Sequence, residues 1–291
     1  MTDLASLQNF LRTLLDTYVT DLIDFEMTAE KSSKLYHYTS QDGLIGILRN
    51  ACLFASDVRF MNDHTERKYA DQFFTKLAGE IPEFSEIYGH LLEDAPFQLQ
   101  TSEYAACFSN NGDSLPQWKM YGGFNGYSIG WESSNLACLL MESAAMVRLL
   151  PCSYDPEFQY DWLSRSIREI LQYSVSEELD DKQIAFLMVN LVWNAKSIFK
   201  HPSFSYENET RLIALELGAD TVDMRDFKYS IRTGKNNPIP YIRVPVPTPS
   251  EIIIGPSAHP DRAKQAIDEM LIRGGFKDVN TRISSAPFVE F

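Results

Sequence analysis

Residues 34–63 read KLYHYTSQDGLIGILRNACLFASDVRFMND, and the fold is decided in this stretch. Leu35-Tyr36-His37-Tyr38 is short, apolar and aromatic, as a strand requires. Thr39 or Ser40 caps the helix that follows, in which Leu44, Ile45, Ile47 and Leu48 recur at helical spacing. Asn50 offers a left-handed stop. Cys52-Leu53-Phe54-Ala55 is apolar again, and a polar loop, Arg59-Phe60-Met61-Asn62-Asp63, ends the stretch. The order is strand, capped helix, strand, loop. A polar His-x-Thr at the junction of strand and helix suits ligand binding, because the strand fixes the backbone and the helix N-terminus attracts anions.

Working outward, residues 1–30 read as one helix with an apolar stripe through Leu4, Leu7, Phe10, Leu11, Leu14, Leu15, Tyr18, Leu22, Ile23 and Phe25 and an acidic outer face. That stripe is expected to pack on the domain or on a second subunit, which leaves a homodimer through this helix open. Downstream, helices are expected over 64–79, 83–92, 134–142 and 260–273. Strands are expected over 102–109, 126–131, 146–153, 209–217, 241–246, 251–254 and 279–283. Residues 116–121 make about one helical turn. After Pro156 the block to Lys200 has no Gly or Pro and fits two helices that split near 178–181, as an insertion or lid beside the sheet. Strands and helices mix without a βαβ rhythm, so an α+β fold with a largely antiparallel sheet is expected. The division is a helical extension over 1–33 and one α+β domain over 34–291, with the helical insertion at about 156–200.

The chain has 291 residues, 44% of them hydrophobic, which is ample for a buried core. No stretch reaches the length of a transmembrane helix, and the first residues lack the basic leader and cleavage site of a signal peptide. The four cysteines, Cys52, Cys107, Cys138 and Cys152, have no CxxC spacing, and three sit in apolar runs. Buried free thiols in a reducing cytoplasm are expected, with no zinc or other metal. A net charge of −14 argues against broad nucleic-acid binding, which needs Lys and Arg to displace counterions.

Nucleotide loops of the GxxxxGK[ST] and GxGxxG types are absent, as is HExxH. One GxSxG match, Gly126-Tyr127-Ser128-Ile129-Gly130, falls inside an expected strand, where a nucleophile elbow cannot form. The sharpest constellation is Glu207-Asn208-Glu209-Thr210-Arg211. Read as strand, Glu207, Glu209 and Arg211 share a face, and a buried face tolerates three charges only if they pair or line a cleft. Two close carboxylates push one pKa up, while the arginine pulls one down. The alternative is a solvated strand entrance with an ordinary Glu–Arg pair.

LYHYTS, ILRN, LFASD and the Asn62-Asp63 pair, with CFS at 107–109, QWKMYG at 117–122, GYSIGW at 126–131 and ENETRL at 207–212, resemble a bacterial family of uncharacterised proteins. The resemblance runs from Lys34 to the end. The opening, with His37-x-Thr39 and the late Glu207-x-Glu209, is also similar to ADP-ribosyltransferases of the DarT type. That resemblance implies a split, mostly antiparallel sheet and transfer of ADP-ribose from NAD to a macromolecular acceptor, as a toxin or phage-defence effector. It implies that Glu209 stabilises the ribosyl cation as nicotinamide leaves and that Glu207 faces the acceptor. His37 would bond a ribose of NAD, with Tyr38 and Thr39 beside it.

Other side chains fit the same cleft, each with a plainer alternative. Trp118 and Tyr121, three apart on a helix, either stack on a nicotinamide or adenine ring or form a small core cluster. Arg211 either supports NAD or pairs with a glutamate. Asn62 and Asp63 either touch substrate or cap the next helix. The ADP-ribosyltransferase resemblance also implies a catalytic triad, for whose middle position Ser109 and Tyr127 are candidates. His37 is equally readable as a core histidine bonded to backbone. Two further functions stay open: a non-catalytic module that senses a nucleotide in the cleft, and a nucleotide hydrolase using the same carboxylates.

Overall fold

The computed structural model describes residues 2–25, 33–61, 68–93, 101–123, 125–141, 146–217, 229–233 and 238–287. In chain order the main elements are α1 (Leu4–Phe25), β1 (Lys34–Thr39), α2 (Gln41–Asn50), β2 (Cys52–Asp57), α3 (Asp71–Glu80), α4 (Pro82–Glu93) and β3 (Thr101–Ser109). Then come β4 (Tyr127–Glu132), α5 (Ser133–Met141), β5 (Met146–Pro151), α6 (Pro156–Ser176), α7 (Asp181–Ile198) and β6 (Glu209–Leu217). The chain closes with β7 (Tyr229–Thr233), β8 (Pro238–Pro245), β9 (Glu251–Ile254), α8 (Pro260–Gly274) and β10 (Asn280–Ile283).

The opening stretch folds as read. Ser40 caps α2, its hydroxyl accepting from Gly43 N at 3.2 Å. The helix stops one residue later than expected, on Ala51 in the left-handed region (φ 47°), while Asn50 turns its amide back to the Gly46 carbonyl. The expected capping loop residues Asn62 and Asp63 lie outside the described residues.

The strands form one α+β sheet in the order β10-β9-β4-β1-β3-β2-β8-β7, with β6 on β3 and β5 on β6. Every pairing is antiparallel except β10 with β9. β3 is the branch point. One edge pairs with β6 from Thr101↔Leu217 to Ser109↔Glu209. The other edge meets β1 only at Tyr36↔Ser109, and β2 only at Ser56↔Ala105 and Asp57↔Tyr104. Between those two contacts the sheet is split, and Cys107 of β3 stands at the gap.

Each face of the sheet carries a helical layer. On one face α2, α5 and α8 bury Leu44, Ile47, Leu136, Ile267 and Leu271 against Phe108, Ile129 and Trp131. On the other, α1, α3, α4, α6 and α7 pack on Leu150 and Ile213. The apolar stripe of α1 is used here: Leu7, Leu11, Leu14, Leu15, Tyr18 and Leu22 are all buried against Phe158, Trp162 and their neighbours on α6 and α7. Tyr18 Oη also donates to the Pro151 carbonyl at 2.9 Å. The middle of the stripe is covered within the chain, while Leu4 and Ile23 near its two ends stay exposed. The 156–200 block supplies α6 and α7 to this layer beside the sheet.

Two strand readings need correction. β7 was not expected, and β8 begins at Pro238, three residues before the anticipated start. Pro238 and Pro240 read as strand breakers, but each faces β7 through a register that tolerates them, opposite Thr233 and Ile231. Cys138 is exposed rather than buried, Cys107 is half-buried, and Cys52 and Cys152 are buried; all four are free.

Ala51 holds a conformation that costs an L-residue with a Cβ about 1 kcal/mol. Ala51→Gly is expected to raise stability by about 0.5–1 kcal/mol, offset in part by the looser unfolded chain. The midpoint of a urea denaturation curve checks this.

Candidate functional site

The Glu-x-Glu segment is not a continuous strand. Pro202–Glu207 is a 3₁₀ turn, Asn208 is left-handed (φ 43°), and β6 begins at Glu209. The reversal at Asn208 still brings Glu207 and Glu209 to one place, because both meet the same cation. Lys200, two residues after α7, donates to Glu209 Oε2 at 2.6 Å and to Glu207 Oε2. Arg211 completes the group: its Nε lies 2.8 Å from Glu209 Oε1, its Nη2 3.1 Å from Glu209 Oε2, and its Nη1 2.7 Å from the Ser197 carbonyl. All four residues are buried.

Two carboxylates and two cations thus neutralise one another in the interior, the condition under which buried charge is tolerated. Burial opposes the charge on Glu209, but Arg211 and Lys200 outweigh it and hold the carboxyl at about 2. Glu209 is a fixed anion. The Cys107 thiol hydrogen-bonds it, and burial together with the Glu209 charge pushes that thiol well above its usual range. Cys107 is therefore a protonated thiol and a poor nucleophile.

Glu207 is held differently. Its backbone carbonyl accepts from Ser109 Oγ at 2.8 Å and from Gln117 Nε2 at 3.1 Å. Its Oε1 accepts from Tyr121 Oη at 3.0 Å. Tyr121 lies on a π turn, Trp118–Gly122, and stays 45% exposed although its hydroxyl reaches a buried carboxylate. Burial and the Glu207 charge raise the Tyr121 pKa.

His37 comes to the same place from the other side of the split. Its Nδ1 lies 2.9 Å from the Cys107 carbonyl. A carbonyl only accepts, so Nδ1 carries the proton and Nε2 presents a lone pair. The side chain thereby fills a position in the gap where a backbone bond between β1 and β3 is missing. The residue keeps part of its surface, yet protein surrounds the ring closely; burial lowers its pKa, against the pull of the Cys107 carbonyl. The imidazole is neutral.

These groups enclose a cavity of about 70 Å³, lined by Tyr36, His37, Tyr38, Cys107, Ser109 and Phe108, with Gln117, Tyr121, Glu207 and Glu209 closing it. Of the residues singled out in the sequence, His37, Tyr38, Ser109, Tyr121, Glu207 and Glu209 meet there. Arg211 stands one layer behind, on Glu209. Thr39 lies at the far end of β1, opposite Tyr127, with its hydroxyl against Gly43 where a Cβ would collide with it. Asn62 and Asp63 are outside the described residues.

Trp118 does not share a surface with Tyr121. Because the segment winds as a π turn rather than an α-helix, positions three apart diverge. Trp118 is buried, packs edge-on to Tyr38 at 4.7 Å, and donates Nε1 to Asp113 Oδ1 at 2.9 Å. It belongs to a small core with Tyr36, Tyr38 and Ile253. Ser109 and Tyr38 use their hydroxyls to fix backbone. Ser109 accepts from Asn111 N, while Tyr38 donates to the Asn111 carbonyl and accepts from Ser114 N. Ser128 of the GxSxG match is buried in mid-strand, with no elbow. Lys200 was missed. Its sequence signal was the charge count: two acids and one arginine on a buried face require a second cation.

Among the described residues no group of three or more His, Cys, Asp or Glu could hold a metal ion, and no helix is long and apolar enough to cross a membrane. A family model described as a protein of unknown function (DUF2971) matches residues 117–212. The matched span starts at Gln117 and takes in Tyr121, Lys200, Glu207, Glu209 and Arg211. No curated protein and no solved structure matches the chain.

The charge network sets an acid limit on stability. The Glu209 carboxyl falls from 4.5 to about 2 on folding, so its contribution is complete above the unfolded value and is lost as pH drops through the folded one. That contribution is on the order of 3 kcal/mol. Glu209→Gln is expected to be less stable than the parent at neutral pH, with the gap narrowing by about that amount as pH falls from 6 toward 2. Guanidinium unfolding of both proteins across this range measures the gap.

Proposed function

We propose that the chain is a mono-ADP-ribosyltransferase-like enzyme that takes ADP-ribose from NAD and passes it to a macromolecular acceptor in the cytoplasm, as a toxin or phage-defence effector. The observation that carries this reading is the meeting of His37, Glu207 and Glu209 on one cavity at the split of the sheet. Cleavage of a nicotinamide–ribose bond develops positive charge on the sugar, and a fixed, preorganised anion lowers its barrier. Glu209, ionised at any pH well above 2, is such an anion. The neutral His37 offers Nε2 as an acceptor for a ribose hydroxyl. Glu207 lies under the half-exposed ring of Tyr121, on the side from which an acceptor would arrive.

The cavity is several-fold smaller than a usual small-molecule pocket of about 300–1,000 Å³. In this reading NAD enters when Tyr121 leaves Glu207, and the sugar hydroxyls take over its hydrogen bond. Tyr121 is suited to that movement because its ring is half outside and its segment is bounded by Gly123 with φ 65°.

One observation favours a second reading. Both oxygens of Glu209 already accept from cations, which shares out the charge that a ribosyl cation would need. A nucleotide-sensing module with the same pocket would keep that arrangement and leave its ligand intact.

Labelled NAD incubated with the protein and a cell lysate separates the two. The transferase reading expects nicotinamide release and label on a macromolecule. It expects Glu209→Gln, assayed where circular dichroism shows it folded, to retain NAD binding and lose about 10²–10³ in rate. NAD bound but recovered intact with every acceptor points to the sensor. A folded Glu209→Gln variant as active as the parent would remove Glu209 from the chemistry.

A further inference from the structure

The wing of the sheet made by β2, β8 and β7 has a face that the two large cores do not use. Ser56 stands opposite Ala105 on one side and Tyr241 on the other, and Tyr241 stands opposite Ser230. Side chains alternate along a strand, so Phe54, Ser56, Tyr241 and Arg232 share this face. Continued along β3, the same face passes from Ala105 to Cys107 and Ser109, which line the cavity. The wing is thus the surface that runs away from the cavity on its β2 side.

Arg232 is exposed at this face, and its Nη2 donates to Ser56 Oγ at 3.0 Å. That bond uses one of its five N–H groups. Among the described residues Arg232 has no carboxylate partner, unlike Arg59, held by Asp57, or Arg282, held by Asp113 and Glu251. Arg243, opposite Phe54 on the same face, also has no ion pair among the described residues, so in a chain of net charge −14 this face carries two such guanidinium groups, of which Arg232 is the one bonded to Ser56. Its charge reaches the site: beyond burial and the Cys107 carbonyl, Arg232 also acts on the His37 pKa, lowering it.

We infer that Arg232, steadied by Ser56, is the phosphate-binding residue for a nucleotide whose sugar occupies the cavity between β1 and β3. This rests on the nucleotide reading of that cavity. A guanidinium presents paired N–H groups that match phosphate oxygens, and it keeps its charge at any working pH. Ser56 accepts from Arg232 and retains its own O–H to donate to a second phosphate oxygen. The sugar would then lie between this anchor and His37, with a diphosphate along the β2 edge of the split.

Calorimetric titration with ADP-ribose, adenosine and inorganic pyrophosphate tests the assignment, using the full chain, Arg232→Gln, and Arg273→Gln as a charge-matched control on exposed α8. Arg232→Gln is expected to weaken ADP-ribose by about ten- to a hundredfold, to flatten the salt dependence of its Kd, and to leave adenosine unchanged. Arg273→Gln is expected to bind as the parent does. Unchanged ADP-ribose affinity in Arg232→Gln overturns the assignment, and so does equal loss of adenosine and ADP-ribose, which would mean a structural role. Parent protein that binds pyrophosphate through Arg232 but no nucleoside or nucleotide leaves Arg232 an anion site and removes the nucleotide reading. Parent protein that consumes NAD with a KM unaffected by Arg232→Gln keeps that reading and removes Arg232. A parent that binds none of the three probes overturns the assignment outright.

Discussion

Four buried charges, Lys200, Glu207, Glu209 and Arg211, constrain the structure around them. A charge taken out of water is tolerated only when its partner arrives with it. Three segments must therefore meet: the chain leaving α7 at Lys200, the 3₁₀ turn at Glu207 and the start of the strand at Glu209. The left-handed Asn208 joins the last two. Ser109, Gln117 and Tyr154 then secure the backbone around the charges, Tyr154 by accepting from Glu209 N at 2.9 Å. The network is a neutral set in which one carboxylate is fully cation-bound and the other shares a tyrosine hydroxyl with the surface.

The split in the sheet gives this network something to face. Strand 34–39 and strand 101–109 touch at a single register position, and the His37 ring bonds the Cys107 carbonyl where the ladder would otherwise have run. A buried backbone carbonyl left without a donor would be costly, so His37 is as much a structural part of the split as a group presented to the cavity. The two readings of His37 that the sequence left open are both satisfied by one geometry: Nδ1 is bonded to backbone, and Nε2 remains for a ligand.

Much of this was legible in the sequence, and the reasons for the rest are physical. The strand, capped helix and strand of residues 34–57 follow from apolar spacing and a serine cap, which are local signals. The charge argument reached only Glu207, Glu209 and Arg211, which had to pair or line a cleft; His37 was set beside them by its place at a strand end and by the resemblance to ADP-ribosyltransferases. Lys200 was not anticipated, because its partners are set by the return of the chain after the helical block and not by any spacing. Trp118 and Tyr121 were expected on one helix face, and the π turn separates them; no propensity marks a π turn. The wing strands were hidden by Pro238 and Pro240, which break a strand pattern locally but are admitted at particular register positions. Arg232 was hidden with them.

The central claim is that Lys200 binds the two glutamates into one energetic unit at the split. A double-mutant cycle on Lys200→Met and Glu207→Gln, read by equilibrium unfolding at neutral pH, tests it most directly. Lys200→Met alone is expected to destabilise by about 3–5 kcal/mol, since it leaves buried carboxylates short of a cation. Removing the Glu207 charge as well is expected to return part of that loss, giving a coupling of at least about 1 kcal/mol. Additive effects of the two substitutions, with no coupling, would contradict the account.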